Sequence, residues 1–389
     1  MEDSPWNGTG QDMMQGYAGH EVGDEEYSDG MGEPAEQKPR ILLMGRSRSG
    51  KSSINRVVFD KTSPHETVFL PTTTSMEVNV VANNSFAQFE ILDFPGDAAL
   101  NSKYLIYKGE RMTEVDLFSS CSALVLVIDA QAEPYTDALS RLANTVKRAH
   151  HVNKKMCVEV FIHKVDGDLF LYDEHKIECQ REISTAITNE LREVGLDVHI
   201  AYYLTSIYDH SIFEAFSKVV QKLIPQLPTL ETLLNVLISH CQMEKAFLFD
   251  VVSRIYIATD SNPVDMQTYE LCSDMIDVVI DVSCIYGVQG EEEGSEGLAY
   301  DSDSEGVIAL DNGLVLYLRE VNSYLALVCL LREDKFEKKG LTDYNINVFK
   351  KALSEIFMAP VKQQVCINPS FILPSRPVRL SSSRTTLSV

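Results

Sequence analysis

The chain has 389 residues, 44% of them apolar, and carries a formal charge of −23 from 34 basic and 57 acidic side chains. That length allows roughly two or three domains with cores of their own, and the acidic balance excludes a general nucleic-acid binder, since no surplus of Lys and Arg exists to displace phosphate counterions. No uncharged apolar run is long enough to span a membrane, and the eight cysteines form neither a C-x-x-C pair nor a regular framework. A soluble, cytoplasmic protein with free thiols is expected, with Cys121, Cys157, Cys284 and Cys329 buried in apolar runs.

Residues 1–37 contain Glu2, Asp3, Asp12, Glu21, Asp24, Glu25, Glu26, Asp29, Glu33 and Glu36 but neither Lys nor Arg. One-signed charge at low hydrophobicity cannot offset the entropy of ordering a chain, so a disordered acidic arm is expected. Neither end carries a signal peptide or a lipidation motif, which leaves no direct membrane anchor and assigns membrane association to a partner.

Residues 38–224 alternate short apolar runs with longer amphipathic ones. The runs predict strands at 41–44, 76–81, 87–92, 123–128, 157–163 and 198–204, with helices at 52–59, 114–120, 135–150, 176–194 and 211–223. Alternating β and α elements with near-continuous apolar strands predict an α/β domain, a mainly parallel sheet covered by helices on both faces. Ligands of such sheets bind beyond the carboxyl ends of the strands.

Pro225 and Pro228 interrupt the pattern, and 225–229 reads as a proline linker. Residues 230–360 then read as an α+β domain, because strands and helices are grouped apart. Helices are expected at 229–241, 269–285 and 344–358, and strands at 246–251, 254–258, 307–309, 314–318 and 324–331. Asp311-Asn312-Gly313 between two apolar runs signals a hairpin. The acidic insert 287–306 reads as a solvated loop, since Asp301-Ser-Asp-Ser-Glu305 lacks the later bidentate Glu of a calcium loop. The Ser/Thr-rich tail 361–389 is expected to be disordered.

The chemistry is concentrated after the predicted strands. Gly45-Arg46-Ser47-Arg48-Ser49-Gly50-Lys51-Ser52 reads G-x-x-x-x-G-K-S behind the run Ile41-Leu-Leu-Met44. Such a loop turns backbone N–H groups and a helix N-terminus toward one point, a seat for phosphates. Lys51 supplies a point charge, and the Ser52 hydroxyl suits a Mg²⁺ ion that bridges the same oxygens. Asp93-Phe-Pro-Gly96 follows a strand in the pattern D-x-x-G; Asp93 would hold Mg²⁺ through water and the Gly96 N–H would meet a γ-phosphate. Pro71-Thr-Thr-Thr74 stands where a GTPase offers a Thr hydroxyl to the metal, or is a polar strand start. His163-Lys164-Val165-Asp166 resembles N-K-x-D with His for Asn: Asp166 can accept from N1–H and the exocyclic amine of guanine, a donor pair adenine lacks. Lys164 would lay its stem on the base, and His163 serves as a hydrogen-bonding brace. Thr205-Ser206-Ile207-Tyr208 would close over the base, or form a simple turn.

Together with the run from Tyr203 to Leu230 and with Glu244-Lys-Ala-Phe-Leu-Phe-Asp-Val-Val-Ser, these motifs resemble the Rag GTPases of the C or D subclass over about 39–358. The resemblance implies a Ras-like P-loop GTPase domain followed by a roadblock/longin-like dimerisation domain. It implies GTP/GDP bound with Mg²⁺ by Arg46, Ser47, Arg48, Ser49, Gly50, Lys51, Ser52, Ser53, Thr73, Gly96, His163, Lys164, Asp166, Ser206 and Ile207. The metal would sit on Ser52, Thr73 and, via water, Asp93. It also implies a heterodimer with a RagA/RagB-type GTPase, recruitment to the lysosomal surface by the Ragulator scaffold, signalling of amino-acid sufficiency to the TOR complex through raptor, and a folliculin-type activator. The family has Gln after Asp-Phe-Pro-Gly, where this chain has Asp97. An ionised Asp97 would repel the γ-phosphate and could not support the attacking water, so very slow hydrolysis is expected unless another residue of the divergent stretch 97–121 takes the role. Two alternatives stay open: a GTPase-like subunit acting mainly as a dimerisation and scaffold-binding arm, and a metabolic P-loop enzyme using ATP, which Asp166 disfavours.

Overall fold

The computed structural model describes residues 38–81, 88–96, 105–107, 110–286 and 304–358, which fall in one compact unit beginning at Lys38. In its first half, β1 (Arg40–Gly45), α1 (Lys51–Phe59), β2 (Glu77–Val81), β3 (Phe89–Asp93), β4 (Leu105–Tyr107), β5 (Glu110–Met112), α2 (Glu114–Ser120), β6 (Ala123–Asp129), α3 (Thr136–Val152), β7 (Cys157–His163), α4 (Asp173–Glu193), β8 (Ile200–Thr205) and α5 (Ser211–Gln221) follow in order. Six strands form one sheet in the order β2-β3-β1-β6-β7-β8. All pairings are parallel except β2 with β3, which runs antiparallel.

Strand periodicity explains the two-sided core. Along β1, Ile41 and Leu43 join α1 and α5 on one face, while Leu42 and Met44 join α2, α3 and α4 on the other. Because both faces are covered, the strand is a continuous apolar run rather than an alternating one. α2 starts where Thr113 and Asp116 form a reciprocal capping box, which fixes its first residue at Glu114.

The second half comprises α6 (Leu227–Cys241), β9 (Lys245–Asp250), β10 (Tyr256–Thr259), α7 (Met266–Tyr286), β11 (Glu305–Ala309), β12 (Leu314–Asn322), β13 (Leu325–Arg332), α8 (Glu333–Phe336) and α9 (Lys339–Met358). Its five strands pair antiparallel in the order β10-β9-β13-β12-β11. The α1/α5 side of the first core runs without a break into this second one. The expected hairpin joins β11 to β12, with Gly313 at φ 76° in the left-handed region and Leu310 N–H donating to Leu314 O at 2.8 Å.

Several expectations require correction. Leu227 and Pro228, read as linker, belong to the first turn of α6, ahead of its expected start at Thr229; Pro228 lacks only an N–H that would be unpaired there anyway. Glu305, read as part of a solvated loop, opens β11 and pairs with Arg319 at 2.5 Å and with Lys339. The β4–β5 hairpin and a 3₁₀ turn over Pro64–Phe69 had no sequence signal. Cys121 and Cys329 are buried, but Cys157 only partly so, and the described cysteines are free thiols. The arm 1–37, the tail 361–389, Asp301, Asp303 and the side chain of Cys284 lie outside what is described.

Candidate functional site

The phosphate loop crosses from β1 to α1 with the backbone its glycines permit. Arg48 has φ 63° and Gly50 φ 103°, both left-handed. A Cβ on Gly50 would lie 2.5 Å from the His163 imidazole, and one on Gly96 would lie 2.1 Å from the Ser47 nitrogen. Glycine is required at both positions by close approach, and at Gly50 by backbone as well. Lys51 is buried, and its ammonium donates to Gly45 O at 3.0 Å and Arg46 O at 2.9 Å.

Three oxygens converge at the start of α1. Ser52 Oγ lies 2.7 Å from Thr73 Oγ1 and donates to Asp93 Oδ2 at 2.5 Å. Asp93 is fully buried at the end of β3, and its Oδ1 has no hydrogen-bond partner among the described residues. Burial pushes its carboxyl above the usual range, against the opposing pull of the Ser52 hydroxyl and the Lys51 charge. A hard divalent cation fits this donor set of two hydroxyls and a carboxylate, and it would engage the orphaned oxygen.

The opposite end is built beyond β7 and β8. His163 is buried; its Nδ1 lies 3.0 Å from Thr205 Oγ1, and burial, then the Lys164 charge, lower its pKa to about 3. The imidazole is therefore neutral and packs against Gly50. Lys164 has φ 67°, and its ammonium donates to Arg48 O at 2.8 Å and to Asp129 Oδ2 at 2.5 Å. The exposed Asp166 accepts from the Ser206 hydroxyl at 2.7 Å, and Ser206 Oγ in turn accepts the Tyr208 N–H at 3.0 Å.

One cavity of about 500 Å³ connects these parts. Its wall includes Ser47, Arg48, Gly50, Lys51, Ser52, Ser53, Thr73, Gly96, His163, Lys164, Asp166 and Ile207. Three of the expected nucleotide-binding residues stand off it, as does the expected metal residue Asp93, which bonds to Ser52 on the wall. Ser49 is buried with its hydroxyl unpartnered among the described residues, Ser206 sits behind Asp166, and Arg46 lines a separate cavity of about 620 Å³ with its guanidinium 3.6 Å from Asp137. Asp97 lies outside the described residues. Sequence reasoning missed Thr67, Val68 and Leu70 on the wall, and also Gln131 and Asp129; Asp129 directly follows the predicted strand 123–128, the one signal that could have flagged it.

Loops from the carboxyl ends of β1, β3, β7 and β8 thus meet around a single cavity, an arrangement that defines a P-loop G-protein domain. The chain belongs to the Gtr1/RagA family of G proteins, whose conserved region matches residues 40–276. It is 59% identical over 321 residues to Ras-related GTP-binding protein C of Homo sapiens, covering 82% of this chain and 77% of that protein. It is 50% identical over 322 residues to GTP-binding protein gtr2 of Schizosaccharomyces pombe, covering 82% of this chain and 98% of that one. Similarity to gtr1 of the same yeast is lower, 28% over 243 residues, covering 61% of this chain and 75% of that protein.

Proposed function

We propose that the chain is a guanine-nucleotide switch subunit of the Rag C/D type, which binds GTP or GDP with Mg²⁺ and hydrolyses GTP. The observation that carries this reading is the cavity itself: segments far apart in sequence bring the glycine-rich loop with Lys51 and Ser52, Thr73, Gly96 and the Asp166 carboxylate to one space. Lys51 and the loop N–H groups bind the β- and γ-phosphates, and Gly96, in contact range of Ser47, registers the γ-phosphate. Ser52, Thr73 and, through water, Asp93 would hold Mg²⁺, which would supply a positive charge to offset that on the phosphate oxygens. Asp166, steadied by Ser206, accepts from the guanine edge, and Ile207 covers the base. Mass analysis of the nucleotide released by denaturing the purified protein tests the reading; release of adenine nucleotide only would refute it.

The second half acts as a roadblock-type domain that dimerises with a RagA/RagB-type subunit. The element order α-β-β-α-β-β-β-α-α supports it, as does an exposed apolar stripe on α7 (Leu271, Val278, Val282, Ile285). In this reading the heterodimer is held at the lysosomal surface by Ragulator, relays amino-acid sufficiency to the TOR complex through raptor, and is switched by a folliculin-type activator. Co-purification with an A-type Rag, followed by nucleotide analysis of each subunit, tests the pairing. Asp97 supports a second reading, a hydrolysis-poor subunit that serves chiefly as a dimerisation and scaffold-binding arm.

A further inference from the structure

We infer that Asp129 and Gln131, neither of which belongs to the nucleotide motifs, are the positioning residues that set guanine selectivity and nucleotide residence by fixing Lys164 and Asp166; the inference rests on the guanine-nucleotide reading above. β6 and β7 pair in parallel with Asp129 beside His163, so the chain leaving each strand runs next to the other. Ala130 N–H donates to His163 O at 2.8 Å, which ties the two exits together.

Both oxygens of Asp129 are used. Oδ1 accepts the Gln131 N–H at 2.9 Å, and Oδ2 accepts the Lys164 ammonium at 2.5 Å. Gln131 then turns its side chain across the gap and donates Nε2 to Lys164 O at 2.8 Å. A Cβ on Gly167 would fall 2.5 Å from that same Nε2, so the carboxamide presses against both ends of the 164–167 turn. Lys164 is the residue that needs such holding, because its left-handed backbone, φ 67°, is disfavoured for a residue with a side chain. Asp166 is thereby fixed from two directions, by the braced turn on one side and by the Ser206 hydroxyl on the other.

The chemical consequence concerns the base rather than the phosphates. Discriminating guanine from hypoxanthine requires one carboxylate to face two donors at once, and hypoxanthine lacks the second, the exocyclic amine. A carboxylate free to shift by a fraction of an ångström loses the second bond first. Gln131 is exposed, so losing its hydrogen bond does little to global stability, whereas the alignment it enforces is local.

The test compares full-length wild type with Gln131→Ala, Gln131→Glu and Asp129→Asn by dissociation of a fluorescent GDP and by competition with GDP, IDP and ADP. Both Gln131 variants should release GDP about fivefold to tenfold faster and narrow the GDP-to-IDP preference by a similar factor, with melting midpoints unchanged. Glu keeps the length of the side chain but cannot donate to the Lys164 carbonyl, so a Glu variant as impaired as Ala assigns the effect to the hydrogen bond. Asp129→Asn should shorten the residence of both GDP and IDP, since the Lys164 ammonium loses its anion. Asp166→Asn is the control. If wild type prefers GDP to ADP and Asp166→Asn shifts preference toward the xanthine nucleotide while both Gln131 variants keep wild-type release and the wild-type GDP-to-IDP ratio, this inference alone is overturned. A wild type without preference for GDP over ADP overturns the guanine reading as well.

Discussion

The N–H of Tyr256, on β10, donates to the hydroxyl of Ser217, on α5, across 3.1 Å in a fully buried position. The same hydroxyl donates to Phe213 O at 2.8 Å, and Gln221 Nε2 reaches Tyr256 O at 3.3 Å. The last helix of the nucleotide-binding half is therefore bonded to the edge strand of the second sheet. Ser217→Ala should cost about 1–3 kcal/mol, the penalty for stranding a buried N–H, as read by denaturant unfolding. A loss within error of zero would mean that the seam supplies another acceptor.

Three glycines separate steric need from backbone freedom. Gly50→Ala and Gly96→Ala should each weaken nucleotide binding by at least about tenfold, because the added methyl strikes the His163 ring in one case and the Ser47 backbone in the other. Gly195, φ 75°, has nothing among the described residues within 4 Å of a built Cβ. Gly195→Ala should cost only about 1 kcal/mol of stability from left-handed strain and leave nucleotide affinity unaltered. Titration of fluorescent GDP against the three variants decides this.

The buried His163 makes stability depend on pH in a defined direction. Its imidazole titrates near 6.5 when exposed and at about 3 in the folded protein. Between those values the unfolded chain binds the extra proton, so stability falls as pH drops below 6.5 and the fall ends near the folded pKa. His163→Asn removes this contribution. Between pH 7 and pH 5 the variant should lose about 2 kcal/mol less than wild type, measured by urea unfolding at both pH values.

Chelation should loosen the nucleotide. If Ser52, Thr73 and Asp93 hold Mg²⁺, EDTA will speed GDP release from wild type on the order of tenfold or more. Thr73→Ala and Asp93→Asn should start faster and respond less. Equal acceleration in all three proteins would remove these oxygens from the metal.

Hydrolysis should be limited by Asp97. Single-turnover GTP cleavage is expected to be very slow in wild type and faster in Asp97→Gln, because an ionised Asp97 would repel the γ-phosphate, whereas a neutral amide would not and could orient the attacking water. An unimproved variant would assign water positioning to another residue.

Local chemistry was legible without coordinates. The spacing of glycines around Lys51 foretold a loop between strand and helix, and α2 starts at the predicted residue 114. β7 likewise occupies the predicted 157–163, because an apolar run between polar turns leaves little freedom in its ends. Properties of this kind depend on residues within a few positions of one another, so a linear string carries them.

Other features depend on partners far away along the chain. Nothing in the residues of β2 says that it runs against β3, and nothing around Arg46 says that its guanidinium turns toward Asp137 and away from the main cavity. Pro228 reads as an interruption until the first turn of α6 forms around it. The salt bridge from Lys164 to Asp129 and the bond from Ser217 to Tyr256 join positions 35 and 39 residues apart. Backbone preference and side-chain type settle which elements form and which chemistry they carry, since those free energies are local. Which side chains meet is decided only when the sheet register and the packing of both halves bring their surfaces together, because hydrogen bonds and burial act over a few ångströms in space regardless of sequence distance.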